Sequence, residues 1–456
     1  MYEKNEEYVL TIGGLGTDGM GIGRLGRLAV FVEGALPGET VSARLVKLGK
    51  DCAYGKLLNV IRPSAERVAP ACPVYKRCGG CTLQHMSYGQ ELIFKREKLE
   101  NCLRKIGGFK DFKAPDAVGC HPPYFYRNKA QFPFGLRGGR AVLGFFSPRS
   151  HVHVPVTACR IQHPVMEAAL DAVQDFANEY RVPVYNEQTH SGILRHIMVR
   201  VGFNSGEVMV CVVVKGAAPP FSDILSKVLP ERLKEIEGLK SVCLNFNGQR
   251  TNVVLGEHTE TLWGAPYIVD TLGGLRFRIS PHSFYQVNPV QTEKLYAGAI
   301  EAARIKPGET VLDMYCGIGA ISLFAAKRAG RVIGVEIAPQ AVDDARINAR
   351  INGVTNAEFI CEDAEKALPR LYCCAQRPAA VILDPPRKGC APGLIRALLN
   401  APPPKLVYIS CDPATLARDL KPLCEGAYDL ESARPFDCFP RTAHVETIAS
   451  LRRRDT

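Results

Sequence analysis

The chain has 456 residues, of which 46% are hydrophobic and 23% charged, and its formal net charge is +11. This length exceeds what one hydrophobic core usually supports, so we expect several domains, and the composition excludes a disordered chain. No apolar run approaches the roughly 18 residues of a membrane-spanning helix. The acidic N-terminal segment lacks the apolar core of a secretory signal. We therefore expect a cytoplasmic protein with no membrane partner.

Residues 1–62 alternate short apolar segments with glycine-rich turns. The predicted strands are Tyr8–Ile12, Leu28–Val32, Thr40–Val46 and Tyr54–Val60. This spacing predicts a small five-stranded, OB-like β-barrel, an architecture that commonly binds single-stranded nucleic acid. The glycines of GGLGTDGMGIGRLG do not join a strand to a helix, which excludes a dinucleotide-binding turn.

Residues 63–284 begin with a cysteine cluster. Cys72, Cys78 and Cys81 form a C-x5-C-x2-C pattern, and Cys159 is an isolated fourth cysteine. The chain has 17 cysteines and no export signal, so a clustered subset indicates metal or thiol chemistry rather than disulfides. Zinc ribbons usually pair two C-x2-C motifs, so this pattern favours a [4Fe–4S] cluster, with zinc and free thiols as alternatives.

Positive charge is concentrated in the same region. Between Glu66 and Arg140 there are 14 basic and six acidic residues. We expect this segment to face RNA or DNA, including Lys95, Arg96 and Lys98 of a predicted helix; the alternative is a solvated charged helix. The strand-like segments that follow predict an antiparallel, mixed α+β domain.

From residue 285 to 456, strands alternate with helices, which predicts an open, mostly parallel α/β sheet of the Rossmann type. Ligands bind beyond the carboxyl ends of such strands. Tyr315 lies in the glycine-containing turn after the first strand, and the next three strands end near Glu336, Asp363 and Asp384. These acidic residues suit a ribose and an amino group, and the turn is short for a pyrophosphate. The pattern favours S-adenosylmethionine over NAD.

A cysteine directly follows the fifth strand. Cys411 lies in VYISCDPATLARD, where it is either a small buried hydrophobic residue or a nucleophile at the sheet edge. A second cysteine, Cys390, follows the DPPRKG loop. In that loop Arg387 replaces the aromatic residue with which amino-methyltransferases stack on a base, so an amine target is disfavoured.

Five motifs in this order resemble those of the RNA uracil-C5 methyltransferases. They are SFYQVNP (Ser283–Pro289), LDMYCGIG (Leu312–Gly319), DPPRKG (Asp384–Gly389), SCDPATLARD (Ser410–Asp419) and HVE (His444–Glu446). The resemblance extends over the whole chain. Residues 1–62 resemble the TRAM module, and the four cysteines resemble the iron–sulfur site of the ribosomal-RNA branch.

The resemblance implies a function and a set of residues. Cys411 would be the nucleophile and Glu446 the base in methyl transfer to C5 of a uridine by a monomeric enzyme, with 23S ribosomal RNA as the expected substrate. The implied S-adenosylmethionine contacts are Gln286, Tyr315, Glu336 and Asp384. Transfer RNA as the substrate, or a non-catalytic RNA-binding iron–sulfur protein, are the alternatives.

The chain departs from the family pattern at two positions. Ala320 and Asp412 stand where relatives often have Asn. The first change removes one polar group from the predicted cofactor site. The second adds a negative charge beside Cys411, from which we expect a raised thiol pKa.

Overall fold

The computed structural model describes residues 2–156, 158–216, 221–374 and 377–455. An N-terminal barrel is built from β1 (Glu7–Leu15), β2 (Gly21–Leu25), β3 (Leu28–Glu33), β4 (Thr40–Leu48) and β5 (Cys52–Arg62). The strands close in the order β1-β2-β3-β5-β4, which confirms the predicted five-stranded barrel. Sequence patterns missed β2, since its glycines interrupt the apolar alternation. Gly21 is needed there because a Cβ would lie 2.7 Å from the carbonyl oxygen of Ala35.

A helix and a seven-stranded sheet follow the barrel. Their elements are α1 (Tyr88–Cys102), β6 (Lys129–Arg137), β7 (Arg140–Phe146), β8 (His153–Pro155), α2 (Val165–Glu179), β9 (Leu194–Val201), β10 (Val208–Val214), α3 (Leu229–Leu233), β11 (Leu239–Phe246) and β12 (His258–Gly264). The strand order is β12-β11-β10-β9-β6-β7-β8. Pairing is antiparallel except between β10 and β11, which are parallel. α2 and α3 pack on one face of this sheet.

The C-terminal part begins with a hairpin and continues as an α/β sheet. Its elements are β13 (Ile268–Leu272), β14 (Leu275–Ile279), α4 (Pro289–Ala303), β15 (Thr310–Met314), α5 (Ala320–Ala326), β16 (Arg331–Glu336), α6 (Pro339–Ile351), β17 (Ala357–Cys361), α7 (Ala364–Cys374), β18 (Ala380–Leu383), α8 (Pro392–Asn400), β19 (Lys405–Ser410), α9 (Pro413–Gly426), β20 (Tyr428–Phe436) and β21 (Glu446–Arg453).

This second sheet has the order β17-β16-β15-β18-β19-β21-β20. The first five strands are parallel, whereas β21 is antiparallel to both of its neighbours. Every residue of β15 and β18 is buried, as expected for central strands that helices cover on both faces. The predicted Rossmann-type sheet is confirmed. Within the described ranges, no helix is both long and apolar enough to cross a bilayer.

The predicted RNA-facing orientation of the basic helix is wrong for Lys95. This residue lies in α1, whose apolar side packs on the C-terminal sheet through Leu99 and Cys102. Lys95 is fully buried, and its ammonium donates to Glu91 at 2.9 Å and to Asp437 at 2.5 Å. A count of charges along the sequence cannot detect carboxylates that arrive from a distant segment, and this is why the prediction failed.

The other two residues of that prediction, Arg96 and Lys98, also have partners within the protein. Arg96 pairs with the exposed Asp116 at 2.6 Å. Lys98 donates a hydrogen bond of 2.7 Å to the carbonyl oxygen of Ala443. The helix is therefore neither simply solvated nor an uninterrupted basic surface.

Candidate active site

The carboxyl ends of the parallel strands border a cavity of about 1130 Å³. Because parallel strands end at one edge of the sheet, side chains that are distant in sequence meet there. All seven residues predicted to bind the cofactor or to act in catalysis line this cavity: Gln286, Tyr315, Glu336, Asp363, Asp384, Cys411 and Glu446. The structure thus brings the whole predicted set together, and their individual roles stay predictions.

The turn between β15 and α5 forms one wall. Tyr315 has a φ of 70°, and Gly317 and Gly319 have φ values of 54° and 83°. This left-handed backbone is costly for Tyr315, and its amide is held by a 2.9 Å hydrogen bond to the carbonyl oxygen of Val335. Glu336 accepts from the amides of Gly317 at 3.2 Å and Ala338 at 2.9 Å. The carboxylate is therefore fixed against the glycine turn.

Two buried carboxyl groups lie at the ends of the central strands. Burial raises the pKa of Asp313 and of Asp384 to about 7. Asp313 accepts a 2.5 Å hydrogen bond from the Ser322 hydroxyl through Oδ2, and its Oδ1 has no protein partner. Asp363 accepts from the amide of Glu365 at 2.8 Å at the start of α7. Asp384, Asp363 and Glu336 thus line the cavity as a group of carboxyls, which suits a positively charged ligand.

Strand register places Cys411 beside Glu446. In the antiparallel ladder of β19 and β21, Ser410 pairs with Thr447. Cys411 directly follows the last residue of β19, and Glu446 is the first residue of β21, immediately before Thr447. The two residues therefore lie side by side at the cavity. Only an antiparallel β21 can bring the beginning of one strand to the end of its neighbour in this way.

The electrostatics of this pair are set by burial and by Arg387. The pKa of the half-buried Cys411 is raised to about 11, by burial first and then by Glu446, although Arg387 acts to lower it. Glu446 is only 3% exposed. Its pKa is raised to about 8, by burial first and then by Asp384, and Arg387 again acts to lower it. A guanidinium group thus favours the ionised form of both groups.

The pKa of the Cys411 thiol is raised, as expected, but the side chain of Asp412 is directed elsewhere. Asp412 caps α9 by accepting hydrogen bonds from the amides of Ala414 at 2.8 Å and Thr415 at 3.3 Å. The carboxylates that raise the pKa of Cys411 are Glu446 and Asp384. The side chain of Asp412 is directed to the helix amides because a residue at this position satisfies otherwise unpaired donors.

Several residues of the cavity were missed or left without a role. Arg387 was noted only as a substitute for an aromatic residue, and Arg127 and Phe439 were not singled out although they line the cavity. Their segments precede or follow the motifs, so no local pattern indicated them. Cys390, the alternative nucleophile, is buried and does not line the cavity; its amide donates to Asp419 at 2.8 Å.

Comparison with known proteins identifies the family. Residues 267–454 match the family model described as tRNA (Uracil-5-)-methyltransferase, and residues 3–58 match the TRAM domain. The crystal structure of the Pyrococcus abyssi tRNA (uracil-54, C5)-methyltransferase in complex with S-adenosyl-L-homocysteine is 29% identical, with a TM-score of 0.79, and covers 97% of this chain and 98% of that one. The chain belongs to the RNA uracil-C5 methyltransferase family.

Curated relatives agree over almost the full length. A Clostridium tetani protein named as an uncharacterized RNA methyltransferase is 45% identical over 446 residues, which is 98% of this chain and 96% of the relative. A second, from Halalkalibacterium halodurans, is 44% identical over 449 residues, or 98% of this chain and 97% of the relative. The predictions of a TRAM module and of an S-adenosylmethionine-dependent RNA methyltransferase are confirmed.

The four clustered cysteines of the methyltransferase share a second, smaller cavity. Cys72, Cys78, Cys81 and Cys159 all line a space of about 280 Å³. In the described part of the chain, no three His, Cys, Asp or Glu side chains are grouped closely enough to hold a metal ion. The four cysteines are therefore gathered around one cavity.

Proposed function

We propose that this enzyme transfers the methyl group of S-adenosylmethionine to C5 of a uridine in 23S ribosomal RNA, through a covalent bond between Cys411 and C6 of the base. The observation that carries this proposal is the side-by-side placement of Cys411 and Glu446 at the cavity, which the β19–β21 register produces. One residue can then act on C6 and the other on the C5 proton.

The residues at the strand ends fit the cofactor. S-adenosylmethionine supplies an electrophilic methyl group on a positively charged sulfur. Asp384 lines the cavity, and its carboxyl group, whose pKa burial raises to about 7, would face the positively charged cofactor. Glu336, fixed at the end of β16, would accept hydrogen bonds from the ribose hydroxyls. Gln286 and Tyr315 would complete the pocket, and Asp363 would lie at the end of β17 beside the adenine.

The chemistry follows from the weak nucleophilicity of uracil C5. The Cys411 thiolate forms a bond with C6, and the C5=C6 electrons move onto O4 as an enolate. C5 then attacks the methyl carbon, whose bond to sulfur breaks. Glu446 takes the proton from C5, and the released electron pair restores the C5=C6 double bond and expels the thiolate. Arg387 favours the two ionised groups that this sequence needs.

Two variants test the covalent route. Cys411→Ala should bind RNA and cofactor but form neither adduct nor product. Glu446→Gln should add to the base and transfer the methyl group, yet leave the C5 proton in place, so that a protein–RNA adduct survives denaturing electrophoresis. RNA with 5-fluorouridine should trap the wild type similarly. A trapped adduct in Cys411→Ala would identify another thiol as the nucleophile.

Ribosomal RNA is the proposed substrate because the TRAM module and the gathered cysteines occur together, a combination that resembles the ribosomal-RNA branch. Transfer RNA is the second candidate, since the Pyrococcus abyssi enzyme of similar structure is named for a transfer-RNA uridine. Mass spectrometry of 23S ribosomal RNA and transfer RNA from a strain lacking the gene would decide. Loss of 5-methyluridine from transfer RNA alone would reject the ribosomal assignment.

We also propose that Cys72, Cys78, Cys81 and Cys159 bind a [4Fe–4S] cluster. Each cysteine of such a cluster binds a different iron, and the four cysteines that line this one cavity match that number of ligands. Protein purified without oxygen should be brown and contain about four irons per chain. Cys159→Ser should reduce the iron content. Colourless protein with one zinc would contradict the assignment.

A further inference from the structure

The loop that leads to Glu446 is held by the segment that follows the clustered cysteines. Residues 437–445 connect β20 to the first residue of β21. The amides of Thr82 and Leu83 donate to the carbonyl oxygen of Arg441 at 2.9 and 3.0 Å. Lys98 donates to the carbonyl oxygen of Ala443 at 2.7 Å. The loop therefore takes its shape from a different part of the fold, which includes α1.

Four charged side chains form a buried charge cluster at the centre of this contact: Glu91, Lys95, Asp437 and Arg441. Lys95 donates to Glu91 at 2.9 Å, to Asp437 at 2.5 Å and to the carbonyl oxygen of Phe439 at 3.2 Å. Glu91 also accepts from the amide of Arg441 at 2.7 Å. Glu91, Lys95 and Asp437 are 0% exposed. Two positive and two negative groups are thus buried together with balanced charge.

All three hydrogens of the Lys95 ammonium have acceptors, and two of those acceptors belong to the loop. Burial alone would lower the pKa of Lys95, but Asp437 and Glu91 outweigh it and raise that pKa. The group is therefore charged. If the loop shifted, a buried ammonium and a buried carboxylate would lose their partners, which is far more costly than loss of an exposed ion pair. A buried ion pair is weak evidence for stability, but it strongly restricts geometry.

We propose that Lys95 is a positioning residue for the catalytic base. Through the buried charge cluster it fixes residues 437–445, so that Glu446 begins β21 within reach of the C5 proton. This inference rests on the proposed function, in which Glu446 acts after Cys411 has bound the base. Cys411 itself lies between β19 and the capped start of α9, and neither element is bonded to Lys95. Loss of Lys95 should therefore impair proton removal more than addition.

The test uses full-length Lys95→Met with unmethylated 23S ribosomal RNA transcribed in vitro and S-adenosylmethionine. Turnover to 5-methyluridine should fall at least tenfold, while the covalent adduct accumulates, as for Glu446→Gln. Leu99→Ala is the matched control, because it removes a buried side chain from the same helix without touching the loop. Its ratio of adduct to product should equal that of the wild type.

Two results would overturn the inference. One is wild-type turnover without adduct accumulation in folded Lys95→Met. The other is a parallel loss of adduct and product, which would indicate a structural role only. If circular dichroism shows Lys95→Met unfolded, Tyr88→Phe decides by the same criteria, since it removes only the hydroxyl that donates to Asp437 at 2.7 Å and accepts from the Cys120 amide.

The failure of this inference is distinguishable from failure of the proposed function. If the wild type forms no adduct with 5-fluorouridine transcripts of either 23S ribosomal RNA or transfer RNA, the covalent mechanism itself is wrong. If the wild type is trapped and neither Lys95→Met nor Tyr88→Phe accumulates adduct on the unmodified transcript, only the role of Lys95 is rejected.

Discussion

The thiol of Cys411 lies between two groups that shift its pKa in opposite directions. Glu446 raises the pKa, and Arg387 lowers it. Since a change of one pKa unit alters the thiolate fraction about tenfold, small changes around Cys411 should be measurable as reactivity. The free enzyme can therefore be tested without RNA.

We expect Arg387→Met and Glu446→Gln to change the alkylation rate of Cys411 in opposite directions. At pH 9, Arg387→Met should slow modification by iodoacetamide, and Glu446→Gln should speed it. At pH 6 the effect of Glu446→Gln should nearly vanish, because the pKa of Glu446 is about 8 and its carboxyl is then already neutral. Peptide mass spectrometry would isolate the Cys411 signal. Arg331→Met, at the opposite end of the sheet, is the control; a change there would point to a global effect.

Cofactor binding should depend on pH through Asp384, which lines the cavity. Its pKa is raised to about 7, and a bound sulfonium ion favours the ionised carboxylate, so binding should release a proton. Affinity should therefore rise with pH up to about 7, by at most about tenfold per pH unit for one proton. Calorimetry in buffers of different ionisation enthalpy measures this. S-adenosylhomocysteine, which lacks the sulfonium charge, should show a weaker dependence; equal dependences would contradict the prediction.

For single residues, the sequence indicated which side chains line the cavity better than it indicated which groups surround them. Cys411 and Glu446 could be recognised because a motif fixes each relative to a strand end. Lys95 was misplaced, because the partners of a charged side chain can come from distant backbone. The Asp437 carboxylate is 342 residues from Lys95. No local pattern contains that information.

Among the helices, α9 is stabilised by a cap at its first turn. Asp412 accepts from two of its amides and lies next to Cys411. Asp412→Ala should lower the free energy of unfolding by about 1 kcal/mol, because the cap is removed. Asp412→Asn should change it by only a few tenths of a kcal/mol, since an amide oxygen caps as well. Urea unfolding measures both. Equal decreases would show that the charge, not the hydrogen bond, stabilises the helix.

Strands and helices whose apolar residues recur with a regular period could be predicted from the sequence. Elements whose formation depends on contacts with other segments could not. The parallel strands β15 and β18 are short apolar runs that end at punctuating residues. By contrast, β2 contains two glycines within five residues, and its pairing depends on close approach to Ala35 rather than on side-chain alternation. The sequence also gave no indication that β10 and β11 are parallel. The relative direction of two strands depends on the path of the segment that connects them.

For the whole molecule, the question is where RNA binds. The barrel carries an exposed basic and aromatic face: Arg44 and Lys56 are opposite each other on β4 and β5. Lys47 lies 5.7 Å from the centre of the Tyr54 ring, which itself stacks on Phe31 at 5.6 Å. Stacking platforms beside cations are typical of single-strand binding.

Neutralising Arg44, Lys47 and Lys56 to glutamine should make RNA affinity less dependent on salt. The slope of log affinity against log salt should decrease by roughly 0.7 for each phosphate group that the variant no longer neutralises. Filter binding at several salt concentrations measures the slope. Arg331→Gln, far from the barrel, should leave it unchanged. An unaltered slope in the triple variant would place the RNA elsewhere.

The buried charge cluster joins segments that are very distant along the chain. Tyr88 and Asp437, for example, are 349 residues apart. Closing a loop of that length costs roughly 5 kcal/mol of chain entropy from its logarithmic dependence on length. If Cys411 and Glu446 act as proposed, a molecule in which this contact has opened would keep the thiol at its strand end but lose the placement of the carboxylate. Release of the product would then depend on one of the longest-range contacts in the chain.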